Sequence, residues 1–167
     1  EVGSPYVELG ATASDNHDGD LTGSIVIDAG SVDGATDGAY SVTYNVTDSS
    51  GNPALHVTRK DEVVDTTSPA ITLVGANPQQ LEVGSTYVEF GATAVDSYGG
   101  DLTGAITIDA SAVDSTTLGT YAVTYNVSDG FGNPAPEVIR TVDVVDTTPP
   151  TLTVSGPNPY EIEIGSA

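Results

Sequence analysis

The chain has 167 residues, of which 24 are acidic and 3 are Lys or Arg, so its formal net charge is −21. A charge this negative repels phosphate groups, which excludes nucleic acid and anionic membrane surfaces as partners. Cys is absent, which excludes disulfides and Cys-ligated zinc, and the apolar runs are too short to predict insertion into a membrane.

The sequence repeats itself with an offset of 81 residues and without insertions. The matching segments include Glu1-Val-Gly-Ser4 with Glu82-Val-Gly-Ser85, Gly10-Ala-Thr-Ala13 with Gly91-Ala-Thr-Ala94, and Gly51-Asn-Pro-Ala54 with Gly132-Asn-Pro-Ala135. A third copy opens at Glu163-Ile-Gly-Ser166. A unit of this length is large enough to be a domain rather than one coil of a solenoid.

Strands are predicted from alternating apolar residues, because successive side chains of a strand point to opposite faces. In the second unit a first strand is predicted from Ile71 to Gly75 and a last one from Val138 to Val145. Between them, three sets of residues are predicted to face inward: Val88, Phe90, Ala92 and Ala94; Ile106 and Ile108; and Tyr121, Val123, Tyr125 and Val127. About seven short strands predict an all-β fold, an Ig-like antiparallel β-sandwich. Gly119-Thr-Tyr121 lies where a tyrosine corner is expected.

Two polar, proline-bearing segments, Asp65-Thr-Thr-Ser-Pro69 and Asp146-Thr-Thr-Pro-Pro150, predict stiff linkers. The predicted organisation is a first repeat at residues 1–65 that lacks its first strand, a linker at 66–68 and a complete domain at 69–146. A second linker at 147–149 and the first strand or strands of a third repeat at 150–167 follow. Below, "first repeat" means residues 1–65 and "second repeat" means residues 69–146.

These motifs, taken as a set, resemble bacterial surface-protein Ig-like repeats. The set comprises Gly-Ala-Thr-Ala-x-Asp, Gly-Asp-Leu-Thr, Val-Thr-Tyr-Asn-Val-x-Asp, Gly-Asn-Pro and Asp-Thr-Thr-x-Pro. Such repeats are related to hyalin-repeat and cadherin-like modules, and a similar domain occurs in an insecticidal crystal toxin. The resemblance implies tandem Ig-like sandwiches in a secreted or surface-anchored bacterial protein. It implies no particular ligand.

Oxygen-bearing side chains are predicted to converge at one end of the complete domain. Two loops at the N-terminal end of an Ig-type sandwich hold Asp96, Asp101, Asp129 and Asn133, and the incoming linker brings Asp65. Calcium binds six to eight oxygen atoms, several of them from carboxylates. The sequence therefore predicts a calcium site at the junction, as cadherin-like modules use to stiffen their junctions.

The first repeat has equivalent candidate ligands, Asp15, Asp18, Asp20, Asp48 and Asn52, and Asp146 is the linker aspartate for a following repeat. The second repeat has Gly99 at the position of Asp18, so we expect the two sites to differ in affinity. The alternative interpretation is that these residues form turns, which favour Asp, Asn and Gly. Acids outside the loops, such as Glu1, Glu8, Asp28, Glu62 and Glu89, are assigned to solubility.

The composition does not predict an enzyme. His17 and His56 are not repeated and have no zinc-like spacing. A glycosidase needs two carboxylates facing each other across a cleft, which repeated small sandwiches do not predict. Tyr98 and Phe131, which replace His17 and Ser50, lie in the acidic loops, where they are expected to pack against the linker or to contact a ligand.

The predicted function is a non-catalytic, calcium-stiffened spacer in an adhesin or fibre outside the cell or on a bacterial cell surface. The alternative is an accessory carbohydrate-binding module of a secreted polysaccharide-active enzyme. The expected partners are neighbouring copies of the repeat, and a glycan or surface target is a further candidate. Because Thr151 to Ile164 match the strands that the first repeat lacks, head-to-tail strand donation between chains is also predicted.

Overall fold

The computed structural model describes residues 1–156, 159, 161 and 165, so part of the predicted third repeat, including Glu163, lies outside the described residues. Strands of the first repeat are β1 (Ser14–Asp15), β2 (Gly19–Asp20), β3 (Val26–Asp28), β4 (Gly38–Asn45) and β5 (Val57–Val63). Those of the second are β6 (Ala70–Leu73), β7 (Gln79–Glu82), β8 (Ala92–Asp96), β9 (Gly100–Asp101), β10 (Thr107–Asp109), β11 (Gly119–Asn126) and β12 (Val138–Val145). Short 3-10 helices span Thr22–Ser24 and Thr103–Ala105, and none of the described helices could span a membrane.

The second repeat is a two-sheet sandwich, which confirms the predicted all-β, Ig-like fold. One sheet has the order β10-β11-β12-β7, with β7 parallel to β12, and the other has the order β6-β8-β9. Val123, Tyr125 and Val142 are fully buried between the sheets. The alternation predicted for β11 therefore corresponds to its inner face. Burial of these side chains provides most of the driving force for packing the two sheets.

A tyrosine corner opens the long strand of each repeat, as the Gly-x-Tyr motif predicts. The Tyr121 hydroxyl donates to the carbonyl oxygen of Thr117 at 2.9 Å. Tyr40 makes the same bond to Thr36 at 2.8 Å. Each bond ties the loop before the strand to the start of that strand.

The predicted inner face of the strand before Asp96 was partly wrong. Val88 is 60% exposed and Phe90 44% exposed, and β8 begins only at Ala92. Gly91 has a φ of 78°, a left-handed conformation that breaks the alternation, so the residues before it do not continue the face of β8. Ile108 is also exposed, whereas Ile106 packs against the core.

Arg140 lies completely buried in the second repeat, although nothing in the sequence marked this residue as part of the core. Its guanidinium donates to the carbonyl oxygens of Val74, Ala76 and Gly91 at 2.6, 2.6 and 2.9 Å. It also donates to the Tyr125 hydroxyl at 2.9 Å. Arg140 therefore ties the turn after β6 to the opposite sheet.

The first repeat has β3-β4-β5 as one sheet and the short β1-β2 pair facing it. Residues 1–65, all of which the structure describes, contain no strand equivalent to β6 or β7. In the second repeat β6 pairs along β8, from Ala70 opposite Val95 to Leu73 opposite Ala92. In the first repeat β1 is two residues long, and a groove of about 550 Å³ lies beside it.

Candidate metal centre at the linker

Three aspartates meet where the linker enters the second repeat. Asp65 directly precedes the linker residues 66–68, Asp96 is the last residue of β8, and Asp129 lies in the loop after β11. One carboxylate oxygen of each lies within 4.8 Å of the others. The three residues are 5%, 4% and 8% exposed. Three of the five predicted ligands of this junction are therefore brought together and buried.

The local turns explain how the carboxylates are held. Asp96 Oδ1 accepts hydrogen bonds from the backbone N–H groups of Tyr98 and Gly99 at 2.8 and 2.7 Å. Asp129 Oδ1 accepts from those of Phe131 and Asn133 at 2.9 and 2.8 Å. These are the bonds expected of turn-forming aspartates, so the turn interpretation accounts for one oxygen of each carboxylate.

The other oxygens of Asp65 and Asp96 are what the turn interpretation leaves unexplained. Asp65 Oδ2 and Asp96 Oδ2 are buried and have no hydrogen-bond partner among the described residues. The two ion pairs in the described part of the chain, Arg59 with Glu8 and Arg140 with Glu89, do not involve them. Buried charges are normally paired or coordinated to a metal, because an isolated one is costly. The donor set, all carboxylate oxygen, fits a hard divalent cation such as calcium.

Asn133, the fourth predicted ligand, also reaches the cluster, where it acts as a hydrogen-bond donor. Its side-chain amide donates to Asp129 Oδ2 at 2.7 Å and to the carbonyl oxygen of Asp65 at 3.1 Å. Burial raises the pKa of Asp129, but the hydrogen bonds from Asn133 and the backbone outweigh it and leave the pKa lowered. Asn133 therefore keeps Asp129 ionised and connects it to the linker.

Three other predicted ligands, Asp101, Asp20 and Asp146, lie outside the cluster of Asp65, Asp96 and Asp129. Asp101 is exposed, and its carboxylate accepts from Thr103 N at 2.9 Å at the start of the 3-10 helix. Asp20 makes the same bond to Thr22 in the first repeat, also at 2.9 Å. Asp146 is exposed and accepts from Thr148 N at 3.1 Å. Asp65 accepts from Thr67 N in the same way, at 3.0 Å.

Asp15 and Asp48 of the first repeat are the equivalents of Asp96 and Asp129. Asp15 accepts from the backbone N–H groups of His17 and Asp18 at 2.8 and 3.0 Å, and Asp48 accepts from Asn52 Nδ2 at 2.7 Å. Hydrogen bonds lower the pKa of both carboxyl groups. Asp15 and Asp48 line the open groove. Asp18 accepts instead from the N–H and hydroxyl of Ser49 at 2.8 and 2.7 Å, and so joins the two loops.

The second repeat joins the same two loops by a different contact. The rings of Tyr98 and Phe131 pack against each other with their centroids 5.5 Å apart and their planes tilted by 47°, at the positions of His17 and Ser50. The Tyr98 hydroxyl also accepts from the backbone N–H of Asp37 in the first repeat at 3.5 Å. The aromatic pair therefore lies between the repeats, next to the three aspartates.

Residues that the sequence analysis assigned to solubility also hold the linker. Glu1 accepts from the N–H and hydroxyl of Thr66 and from the hydroxyl of Thr67, including Thr67 Oγ1 at 2.8 Å and Thr66 N at 3.1 Å. Glu82 holds Thr147 and Thr148 in the same way, at 2.6 and 2.7 Å from their hydroxyls. The recurrence of this Glu at an offset of 81 was the signal that could have identified it.

The solubility assignment was also wrong for Glu8 and Glu89. Glu8 lies 3.1 Å from Arg59 and accepts from the Tyr44 hydroxyl at 2.7 Å. Glu89 accepts from the Tyr125 and Tyr87 hydroxyls and lies 3.8 Å from Arg140. Both carboxylates therefore belong to hydrogen-bond networks that reach the inner tyrosines.

Comparison with known proteins places the chain in a family. It matches "Bacterial surface protein, Ig-like domain" over residues 1–63 and 71–144. Pesticidal crystal protein Cry22Aa of Bacillus thuringiensis is 30% identical over 135 residues, which cover 78% of this chain and 18% of that protein. Hyalin of Strongylocentrotus purpuratus is 38% identical over 133 residues, covering 72% of this chain and 10% of hyalin. Hyalin of Lytechinus variegatus is 34% identical over 133 residues, which cover 77% of this chain and 25% of that hyalin.

The chain thus spans a quarter or less of each of these relatives. The family match covers most of both repeats and confirms the resemblance stated from the motifs. The chain belongs to the family of bacterial surface protein Ig-like domains.

Proposed function

We propose that the chain is part of an extracellular, non-catalytic spacer whose repeats are stiffened by calcium bound at the linker. Membership of a bacterial surface family and similarity to hyalin support the extracellular structural role. The observation that carries the calcium proposal is the buried set of Asp65, Asp96 and Asp129, two of which have an unpartnered oxygen.

Electrostatics explain why a cation favours this arrangement. Negative charges on three carboxylates within 4.8 Å would repel one another, and their burial weakens the screening by water. A bound dication reverses the sign of these interactions and satisfies the free oxygens. Calcium is preferred over magnesium because it tolerates irregular geometry and gives up its water more easily.

The contacts of the linker explain how binding would stiffen the junction. Thr66 and Thr67 are bonded to Glu1 of the first repeat, while the adjacent Asp65 reaches Asp96 and Asp129 of the second. A cation shared by the three aspartates would hold the linker to the second repeat, while the hydrogen bonds of Glu1 hold it to the first. The linker would then transmit the orientation of one repeat to the next.

The experiment is a thermal melt of the chain in calcium, in magnesium and in excess chelator. A ligand that binds only the native state stabilises it by about 2.7 kcal/mol when it is 100-fold above its Kd. We expect calcium to raise the Tm more than magnesium does. Terbium bound at the site should also luminesce on excitation of tyrosine, because energy transfer requires a ring close to the ion and Tyr98 lies two residues from Asp96, to whose carboxylate its backbone N–H donates.

Two variants separate this proposal from a general effect of salt. Asp96→Asn should abolish the calcium response and should melt at a higher temperature than the wild type in chelator, since it removes one repelling charge. Asp101→Asn is the control, because Asp101 is exposed and lies outside the cluster. An unchanged Tm at millimolar calcium, or an equal response from Asp96→Asn, would refute the proposal.

A further inference from the structure

The first and last parts of the second repeat are joined directly to each other. β6 follows the linker at 66–68, and β12 leads into the linker at 147–149. After β6 the chain crosses to the other sheet, where β7 pairs with β12. A pull on the two linkers therefore acts on the joint between β7 and β12.

The direction of this joint determines how it responds to tension. β7 and β12 are parallel, with Gln79 opposite Val142 and Glu82 opposite Val145. A pull on β7 towards its start and on β12 towards its end slides the two strands past each other. The evenly spaced hydrogen bonds of a parallel pair then share the load and must break together. The pairing continues past β7 with a bond from the Val83 N–H to the Val145 carbonyl oxygen at 2.8 Å.

The side chain of Asn77 extends the same pairing before β7 begins. The register places Asn77 opposite Arg140. The Asn77 amide donates to the carbonyl oxygen of Ile139 at 3.2 Å and accepts from the Thr141 N–H at 2.9 Å. These are the two bonds that the backbone of one residue makes to its partner strand in a parallel pair. One side chain thus adds a further step to the ladder.

Arg140 fastens the segment before Asn77 to the same strand. Its guanidinium donates to the carbonyl oxygens of Val74 and Ala76, both at 2.6 Å, and the side chain is completely buried. A tension that strips β6 from β8 next meets these bonds. Residues 74–83 are therefore tied to β12 from the Arg140 end of the ladder to Val145.

We propose that residues 74–83 and β12 form a force clamp, a joint through which the second repeat resists extension of the chain. The proposal rests on the spacer role proposed above, because a spacer anchored at one end carries the force that acts on the other. The hydrogen bonds of the force clamp do not involve Asp65, Asp96 or Asp129. Load bearing is therefore separable from cation binding.

Single-molecule force spectroscopy of the whole chain tests the force clamp, with handles attached through two introduced cysteines. The chain has no Cys of its own, so the handles attach only where they are placed. Ser68→Cys with Pro149→Cys gives the lengthwise geometry, in which β7 and β12 are pulled in opposite directions. Ser68→Cys with Pro136→Cys gives the transverse geometry, in which both handles lie at the linker end and the force crosses the strands. All three positions are exposed.

The second repeat should unfold more slowly at a given force in the lengthwise geometry than in the transverse one. Asn77→Ala should raise the lengthwise unfolding rate at least about tenfold, because it removes two of the bonds that share the load. Its effect on the transverse rate should be less than about threefold, since there the bonds do not bear the load together. Asn126→Ala is the matched control, because its amide bonds to Glu137 at 3.1 Å and not to residues 74–83.

All rates are measured in chelator, so a failure of the force clamp is distinguishable from a failure of the calcium proposal, which the Tm decides. Resistance that is greatest lengthwise and is lost specifically in Asn77→Ala supports the force clamp. Equal wild-type rates in the two geometries overturn it. So does an Asn77→Ala chain whose unfolding rate rises equally in both, because that residue would then contribute only general stability.

Discussion

Asn133 donates a hydrogen bond from its side chain to the backbone carbonyl oxygen of Asp65, 68 residues earlier in the chain. The same amide group holds Asp129 at 2.7 Å. Asn52, its equivalent in the first repeat, holds only the nearby Asp48, also at 2.7 Å. One amide therefore links the linker to the second repeat independently of any metal.

Asn133→Ala should lower the free energy of unfolding by about 2 kcal/mol, since each of its two bonds is worth about 1 kcal/mol. Asn52→Ala should cost about half as much, because it loses no bond to a linker. Urea denaturation of both variants in chelator measures the difference. Equal losses would show that the bond to Asp65 contributes nothing to stability.

Glu82 should titrate far below an ordinary glutamate. Hydrogen bonds from Thr147 and Thr148 lower its pKa to about 2. Because the pKa is lowered on folding, the stabilisation is complete above the unfolded value of about 4.3 and is lost as the pH falls from there towards 2. A carboxyl-carbon NMR titration measures this pKa, and Thr147→Ala with Thr148→Ala should return it towards 4. A titration near 4 in the wild type would contradict these contacts.

Arg140→Met should destabilise the second repeat by about 3–5 kcal/mol, the range seen when one partner of a buried charged network is removed. The carbonyl oxygens of Val74, Ala76 and Gly91 would each lose a hydrogen bond from a side chain that is completely buried. Arg59→Met is the matched control and should cost about 1 kcal/mol or less, because the Arg59 side chain is 29% exposed and water can replace it. Urea denaturation distinguishes the two variants, and similar losses would contradict a clamp specific to the second repeat.

The double variant Tyr98→His with Phe131→Ser gives the second repeat the residues of the first. It should lose the aromatic contact, worth about 0.5–1.5 kcal/mol, together with the bond to Asp37. We expect the two repeats to tumble more independently, as measured by 15N relaxation in chelator. Unchanged tumbling would show that the aromatic pair does not contribute to the junction.

The repeat, the strands and the convergence of Asp65, Asp96 and Asp129 could be predicted because each depends on local patterns. Alternation places residues on one face of a strand, and the order of strands in a sandwich places certain loops at the same end. The point at which the strand before Asp96 begins could not be predicted. The apolar pattern continues through Val88 and Phe90, but the left-handed conformation of Gly91 interrupts the strand.

The spacing of apolar and turn residues was sufficient for the fold class, since these residues act through neighbours in the chain. The resemblance of the motif set indicated the family, and the strand order of an Ig-type sandwich indicated where the acidic loops meet. Tertiary structure decided which acids work together. Asp101 and Asp129 are alike in sequence, yet only Asp129 is buried beside Asp65 and Asp96. Glu1 and Arg140 acquire their roles from partners more than 60 residues away, because burial and long-range hydrogen bonds depend on how the sheets pack.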